Sequence, residues 1–424
     1  MRPNLWNGTS LKAWTLVVLV GTMSGAPLPA QAGPKGGQAL AAVQAGEYAE
    51  FLKEKFGIAF SSAVGQEEFL GAIQKATGTA IEPAKDQPFG AVAAVSAALR
   101  AANLKELAAT YPPEKAAGCL ARAKVPAKGF SPQAQQALAT ALDAGMLSPS
   151  QAASIRPEAA LKPELANSLL GSILATRGLY KHYIGFLHDP DILAKFTDAY
   201  NRSVLIEAPE LREVVDAALK QKLVTGYNLK DERCDPQFIQ ARALTYGHSD
   251  LDHAVQLLGL LKSEGLDAKV QFEPKTSAFV YLKEWGDPGK PTENMQVKQI
   301  ENGDFIEYAR EYDVSFEFNT AQDKARFEPI IMAYAKKDKK DQTGLIVHSW
   351  WQPLYLSRTE LAGYRTIANH YFFKGRYYAQ TFAATDKTAG IVKAFQTLSP
   401  GVDVKTYTFW VDEPFYRYLL GESK

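Results

Sequence analysis

The sequence predicts an α+β multidomain protein, with a helical N-terminal region followed by helices packed on antiparallel sheet. Three observations carry this. A chain of 424 residues with 46% apolar and 22% charged residues is globular in composition and too long for one ordinary core. From about Gly33 to Gly185 apolar positions recur at helical spacing in an Ala-rich background broken by Pro, Gly and Ser, and no strand pattern competes. Further on, segments such as "DVSFEFN" (313–319) alternate, placing Val314, Phe316 and Phe318 on one face of a strand.

The chain begins with Arg2 and Lys12, then an apolar run "AWTLVVLVGTMSGA", then "AQA" before Gly33. That is the order of a secretory signal, with a positive start, a short apolar helix and a small-residue cleavage site. The run falls short of the roughly 20 residues that span a bilayer. Residues 1–32 are therefore expected to be a signal peptide, the mature chain to be exported (periplasmic, cell-surface or extracellular), and no transmembrane segment to remain. Losing Arg2 and Lys12 takes the formal charge from +1 to −1. Without a net positive field, nucleic acid is not an expected partner. Cys119 and Cys234, the two cysteines, are either one disulfide or two separate thiols, and spacing leaves both open.

The first domain is expected over 33–185. Within it, "FSPQAQQALATALDAGMLSPSQAASIRPEAALKPELANSLLGSILATRGL" (130–179) reads as a helix ending in "AGML", a loop carrying "IRPEA", and a second helix from near Lys162 to Gly178. Pieces of this grammar recur in "AVGQEEFLGAIQKATG" and "LREVVDAALKQKLVTGY". The pattern resembles the S-layer homology repeat, where a helix ending in Gly-Leu-Ile precedes a Phe-x-Pro loop and a second helix opening with Thr-Arg-Ala-Glu. The resemblance implies binding to envelope polysaccharide. Only the Glu of that last motif is kept, as Glu68 in "GQEE" and Glu164 in "LKPE", which makes these two the candidate glycan-binding residues of the region.

The second domain is expected over 186–300 and holds the most patterned run, "YGHSDLDHAVQLLGLLKSEGLDAKVQFEPKTSAFVYL" (246–282). Ala254, Leu257, Leu258 and Leu261 form one helical stripe. Ser249 with Asp252 reads as a capping box, Asp250 suits the positive helix end, and Gly265 stops the helix. "AKVQF" and "SAFVYL", separated by "EPKT", read as two strands. The run resembles the papain-like transglutaminase-like domain, whose helix is opened by Gly-Asp-Cys-x-Asp-His-Ala and followed by Gly-Ile-Pro-Ala-Arg-Val and a strand beginning His-Ala-Trp-Val-Glu-Val. In that alignment Asp250 stands at the cysteine and Ser277 at the histidine. A thiol enzyme needs sulfur at the helix N-terminus and an imidazole to take its proton. The resemblance thus implies a scaffold without its catalytic pair, a pseudoenzyme whose degenerate positions are Asp250 and Ser277.

Other chemistry has fewer supports. Cys234 in "DERCDPQF" is a displaced-nucleophile candidate with His248, His253 or His348 as base, but Asp231, Glu232 and Asp235 would raise its pKa. His248, Asp250, Asp252 and His253 form a polar cluster without a familiar zinc spacing, so neither a metal nor a cofactor is expected.

The third domain is expected over 301–424, after a loop at "WGDPGKPTEN". A helix over "TAQDKARFEPIIMAYAKK" has Thr320 as its cap with Asp323 three residues on, and Pro329 bends or restarts it. "GLIVHSWWQPLYLS", a hairpin "HYFFKGRYYAQTF" turning at Lys374-Gly375, a helix around "IVKAFQTL" and "VKTYTFWV" complete an order that suits an antiparallel sheet with helices on one face, as in ferredoxin-like folds. Of its many aromatics, Trp350 and Trp351 are candidates for stacking on glycan, while rings at strand alternation, such as Tyr377, Tyr378 and Trp410, more often build a core. The expected role is binding or scaffolding at the cell surface, with cell-wall polysaccharide or an envelope protein as partner. The main rival is an extracellular thiol-dependent hydrolase or acyltransferase.

Overall fold

A computed structural model describes residues 34–83, 88–334 and 354–420. The expected leader 1–32, His348, Trp350 and Trp351 lie outside the described residues. The chain divides into two compact units, Met1–Tyr180 and Lys181–Lys424. Among the described residues no helix is long and apolar enough to cross a membrane.

The first unit is helical throughout its described part: α1 (Pro34–Phe56), α2 (Gln66–Thr77), α3 (Ala91–Ala101), α4 (Lys105–Ala109), α5 (Pro113–Arg122), α6 (Pro132–Asp143), α7 (Pro149–Ser154) and α8 (Pro163–Thr176). Proline opens α5 through α8, where its missing N–H costs no helical bond. Ser131 and Ser148 accept the N–H groups of Ala134 and Gln151 as caps. The α8 helix sits where its grammar placed it, and its Leu169, Leu170, Ile173 and Leu174 are fully buried.

Small residues let the helices of this unit approach closely. A Cβ on Gly171 of α8 would stand 2.1 Å from Cγ of Tyr48 on α1. Gly171→Ala is therefore expected to lower stability by about 1–3 kcal/mol through overpacking, although alanine is the better helix former. A denaturant titration of the variant checks this, and an unchanged or raised midpoint would contradict it.

The second unit runs β1 (Gly185–Phe186), α9 (Ile192–Arg202), α10 (Pro209–Lys220), β2 (Gly226–Asp231), β3 (Ala243–His248), α11 (Leu251–Ser263), β4 (Ala268–Tyr281), β5 (Met295–Gln299), β6 (Phe305–Phe318), α12 (Ala321–Tyr334), β7 (Leu354–Ser357), β8 (Arg365–Lys374), β9 (Tyr377–Ala383), α13 (Thr388–Leu398), β10 (Asp403–Val411) and α14 (Glu413–Leu419). Among the described residues the ten strands belong to one sheet with antiparallel neighbours. The sheet closes on itself. Stepping from β4 through β2, β9, β8, β10, β7, β3 and β6 returns to β4, because β4 and β6 pair along their whole length, from Ala268 opposite Phe318 to Tyr281 opposite Phe305. Closure removes the open edges that an eight-stranded sheet would otherwise expose. The strands β1 and β5 attach outside the ring, to β4 and β6.

Two cores cover the outer surface. Under α9, α11 and α12, Phe196, Leu257, Leu261 and Phe327 pack on Tyr246, Val270, Val314 and Phe316. Under α10 and α13, Val215, Leu219 and Phe395 pack on Leu229, Tyr308 and Phe372. With a period of two, the alternate residues face inward. They include an apolar group of Leu356, Ile367, Tyr371, Tyr378, Phe409 and Val411, covered at its end by Phe415 of α14.

Several expectations need correction. The boundary at 300/301 and a separate ferredoxin-like sheet over 301–424 do not describe this unit, because the β4–β6 ladder crosses that boundary. The first boundary falls at 180/181, five residues before 185, since β1 already pairs with β4. "AKVQF" and "SAFVYL" are one strand rather than two. Ala268 and Val270 turn their carbonyls toward β1, so even-numbered positions of β4 face that side. The missing N–H of Pro274 therefore points into the gap between the β1 pairs, which end at Val270, and the β2 pairs, which begin at Lys275, and no ladder bond is lost. Helix α12 continues through Pro329, with Thr320 capping the N–H of Asp323 as expected. The hairpin turns at Gly375, φ 62°.

Candidate functional site

The inward faces of β2, β4 and β6 carry a network of buried charges. Nζ of Lys230 lies 2.6 Å from Glu273 and 3.0 Å from Asp313, and Nζ of Lys275 lies 2.7 Å from Asp313 and 3.5 Å from Glu311. Ser315 donates to Glu273, and its hydroxyl also lies 2.8 Å from Thr245 across the β3–β6 ladder. At the other end of β6, Glu317 takes Lys181 at 2.7 Å, Lys269 at 3.4 Å, Arg242 at 3.5 Å and the backbone N–H of Ile239. Each of these strands alternates because its outer residues are apolar, so closure commits the charges to the interior and to one another.

Burial alone would raise the carboxyl of Asp313, but Lys275 and Lys230 hold it at about 2. Asp235, which accepts the Tyr378 hydroxyl at 2.6 Å, goes the other way: burial and the charge of Glu273 push it up to about 7. A carboxyl raised from 3.8 binds a proton in the folded chain that the unfolded chain has released, so its contribution is complete below about 3.8 and is lost as pH rises to about 7. The variant Asp235→Asn is expected to flatten stability against pH between 4 and 7 relative to the unmodified chain. Unfolding midpoints across that range check this, and parallel curves would contradict it.

The pair of positions at the degenerate catalytic site is not brought together. Asp250 caps α11, its carboxylate accepting the N–H of His253 at 3.0 Å and its carbonyl the hydroxyl of Tyr312 at 2.8 Å. The cap is Asp250 rather than the Ser249–Asp252 box. Helix α11 lies on the outer face with Val270 and Phe272, whereas Ser277, an odd number of residues along an unbroken ladder, faces inward. Its hydroxyl is 2.6 Å from Glu311 and 2.8 Å from Asn228. The spatial juxtaposition implied by the transglutaminase-like resemblance is thus corrected: the two positions occupy opposite faces of the sheet.

Three of the four members of the polar cluster do meet. The rings of His248 and His253 stack at 3.9 Å, Nε2 of His253 is 2.6 Å from the Tyr246 hydroxyl, and Nδ1 of His248 accepts the N–H of Asp250 at 2.9 Å. Both histidines are buried, while Asp252 is exposed in the first turn. The arrangement orders the start of α11. Among the described residues no group of three or more His, Cys, Asp and Glu side chains has a metal-binding arrangement.

Cys119 and Cys234 are both free thiols, one in each unit. Cys119 is buried in α5 and donates to Asp143 at 3.1 Å, and burial with that carboxylate pushes it up to about 11. Burial, together with Asp231, Glu273 and Asp235, also raises the half-buried Cys234. A raised pKa leaves a thiol, the weak form of the nucleophile. Glu68 accepts the Ser61 backbone N–H at 2.9 Å and its hydroxyl at 2.8 Å, bracing the turn before α2, and Glu164 stands exposed in the first turn of α8.

One Lys–Ser contact is close enough for chemistry. Nζ of Lys324 is 2.6 Å from Oγ of Ser357, and burial lowers the lysine to about 8. Yet the ammonium also reaches Thr359 at 2.8 Å and the Gln240 carbonyl at 3.1 Å, Oγ of Ser357 takes the N–H of Thr359, and both residues are at most 2% exposed. These bonds tie α12 to the end of β7. No family model, curated protein or solved structure matches the chain.

Proposed function

We propose that this chain is an exported, non-catalytic binding or scaffolding protein of the cell envelope, with cell-wall polysaccharide or an envelope protein as partner. The separation of Asp250 and Ser277 to opposite faces of the sheet withdraws the degenerate catalytic pair as an argument for the non-catalytic half, which rests instead on the burial of Cys234 among carboxylates. The raised thiol of Cys234 supports it against the rival hydrolase or acyltransferase. Export rests on the leader-like start, 1–32. The envelope partner rests on the S-layer-homology-like grammar of 33–185 with Glu68 and Glu164, and the transglutaminase-like likeness stays with the sequence from Asp250 to Leu282. Co-sedimentation of the mature chain with purified cell-wall polymer at low salt tests the partner. Retention that Glu164→Gln weakens is the expected result, and no retention removes the polysaccharide reading.

A further inference from the structure

The geometry points to a binding site for a small organic carboxylate inside the strand ring, built on Arg358, Asn369 and Gln380. The inference rests on the non-catalytic reading above and names the ligand class of the second unit. Asn369 is fully buried, and both polar atoms of its amide lack a hydrogen-bond partner among the described residues. Gln380, 4% exposed, has its Oε1 in the same condition. Buried polar groups are nearly always paired, since an unmade bond costs stability with nothing in return. Near them lies the half-buried Arg358. Arg358 has no carboxylate within 4 Å among the described residues, and its one hydrogen bond is a long contact of 3.4 Å to the Tyr371 hydroxyl.

The ladder brings Asn369 and Gln380 beside the rings on which Arg358 stacks. Asn369 stands opposite Tyr407 on β10, and Gln380 stands opposite Tyr371 on β8. The rings of Tyr371 and Tyr407 meet edge to face at 5.0 Å, and the Arg358 guanidinium lies 4.3 Å from the centre of Tyr407 and 5.4 Å from that of Phe409. Stacking on rings positions the planar fork without neutralising it. A carboxylate matches the fork with two parallel bonds, the amides of Asn369 and Gln380 supply a donor and acceptors beside it, and the aromatic wall takes an apolar body. A phosphate monoester would bring up to two charges to one guanidinium, which disfavours it. Phe415 of α14 rests on Phe382 at 5.6 Å over this end of the ring, fastened by the exposed pair Arg365–Glu413.

Calorimetric titration of the full chain with 2-naphthoate, with 2-naphthamide as the uncharged control, tests the site. Saturable binding of one naphthoate per chain is expected, weakened at least about tenfold for the amide and for Arg358→Gln. Should that variant fail to fold, Arg358→Lys keeps the charge without the fork and is expected to lose affinity likewise. Asn369→Leu separates function from structure: it is expected to keep or raise the thermal midpoint while weakening naphthoate binding. No saturable binding, equal binding of acid and amide, or loss of stability in Asn369→Leu overturns the site and leaves the non-catalytic reading standing. Release of ammonia from 2-naphthamide overturns that reading instead.

Discussion

Lys230→Met is expected to cost about 3–5 kcal/mol of unfolding free energy, because it strands Glu273 and Asp313 in a desolvated interior with one fewer cation. The size follows from what remains rather than from what is removed. A buried ion pair contributes little net stability, but a buried charge without its partner keeps the full cost of leaving water. The double variant Lys230→Met with Glu273→Leu leaves Lys275 with Asp313 at 2.7 Å and is expected to recover much of the loss. A double-mutant cycle by chemical denaturation measures the coupling. Additive losses would mean that the two side chains do not meet inside the ring.

Glu317→Leu is expected to be comparably damaging, by about 3–5 kcal/mol, for the mirror-image reason. Its carboxylate, 2% exposed, is the shared partner of Lys181, Lys269 and Arg242, and it also accepts the N–H of Ile239. Leucine would leave three like charges converging on an apolar side chain and a backbone donor without its carboxylate. Surface pairs offer a control. Asp191→Ala, which breaks the exposed Lys195–Asp191 contact at 2.9 Å, is expected to change stability by less than about 1 kcal/mol. Differential scanning calorimetry separates the two classes, and equal shifts would contradict the burial of Glu317.

The elements were legible wherever periodicity is local. The leucine stripe of α11, its stop at Gly265, the face of Val314, Phe316 and Phe318, the Thr320 cap and the Gly375 turn all follow from spacing within one segment. Ring closure did not, because it depends on which strand meets which across more than a hundred residues. In "FEPKTS" and "AREYDVSFEF" the charged residues alternate with apolar ones, which reads as a strand with one wet face. The same alternation with the polar face turned inward produces the Lys230–Glu273–Asp313 network, and only pairing of β4 with β6 distinguishes the two. Asp250 and Ser277 show the same limit: alignment gives position along the chain, whereas the parity of residues on β4 gives the face. Arg358, Asn369 and Gln380 carried no local signal, since each is an ordinary polar residue until strand pairing sets Asn369 and Gln380 beside Tyr371 and Tyr407, where Arg358 stacks.

On the reading proposed above, Cys234 of the closed second unit is an unactivated thiol. The rate of Cys234 alkylation by iodoacetamide as a function of pH, in a chain carrying Cys119→Ala, tests it most directly. Burial and the flanking carboxylates raise the midpoint of that profile above that of an ordinary thiol, with slow labelling at neutral pH. A midpoint below 7, with fast labelling at neutral pH, would mean an activated thiolate and would contradict the account.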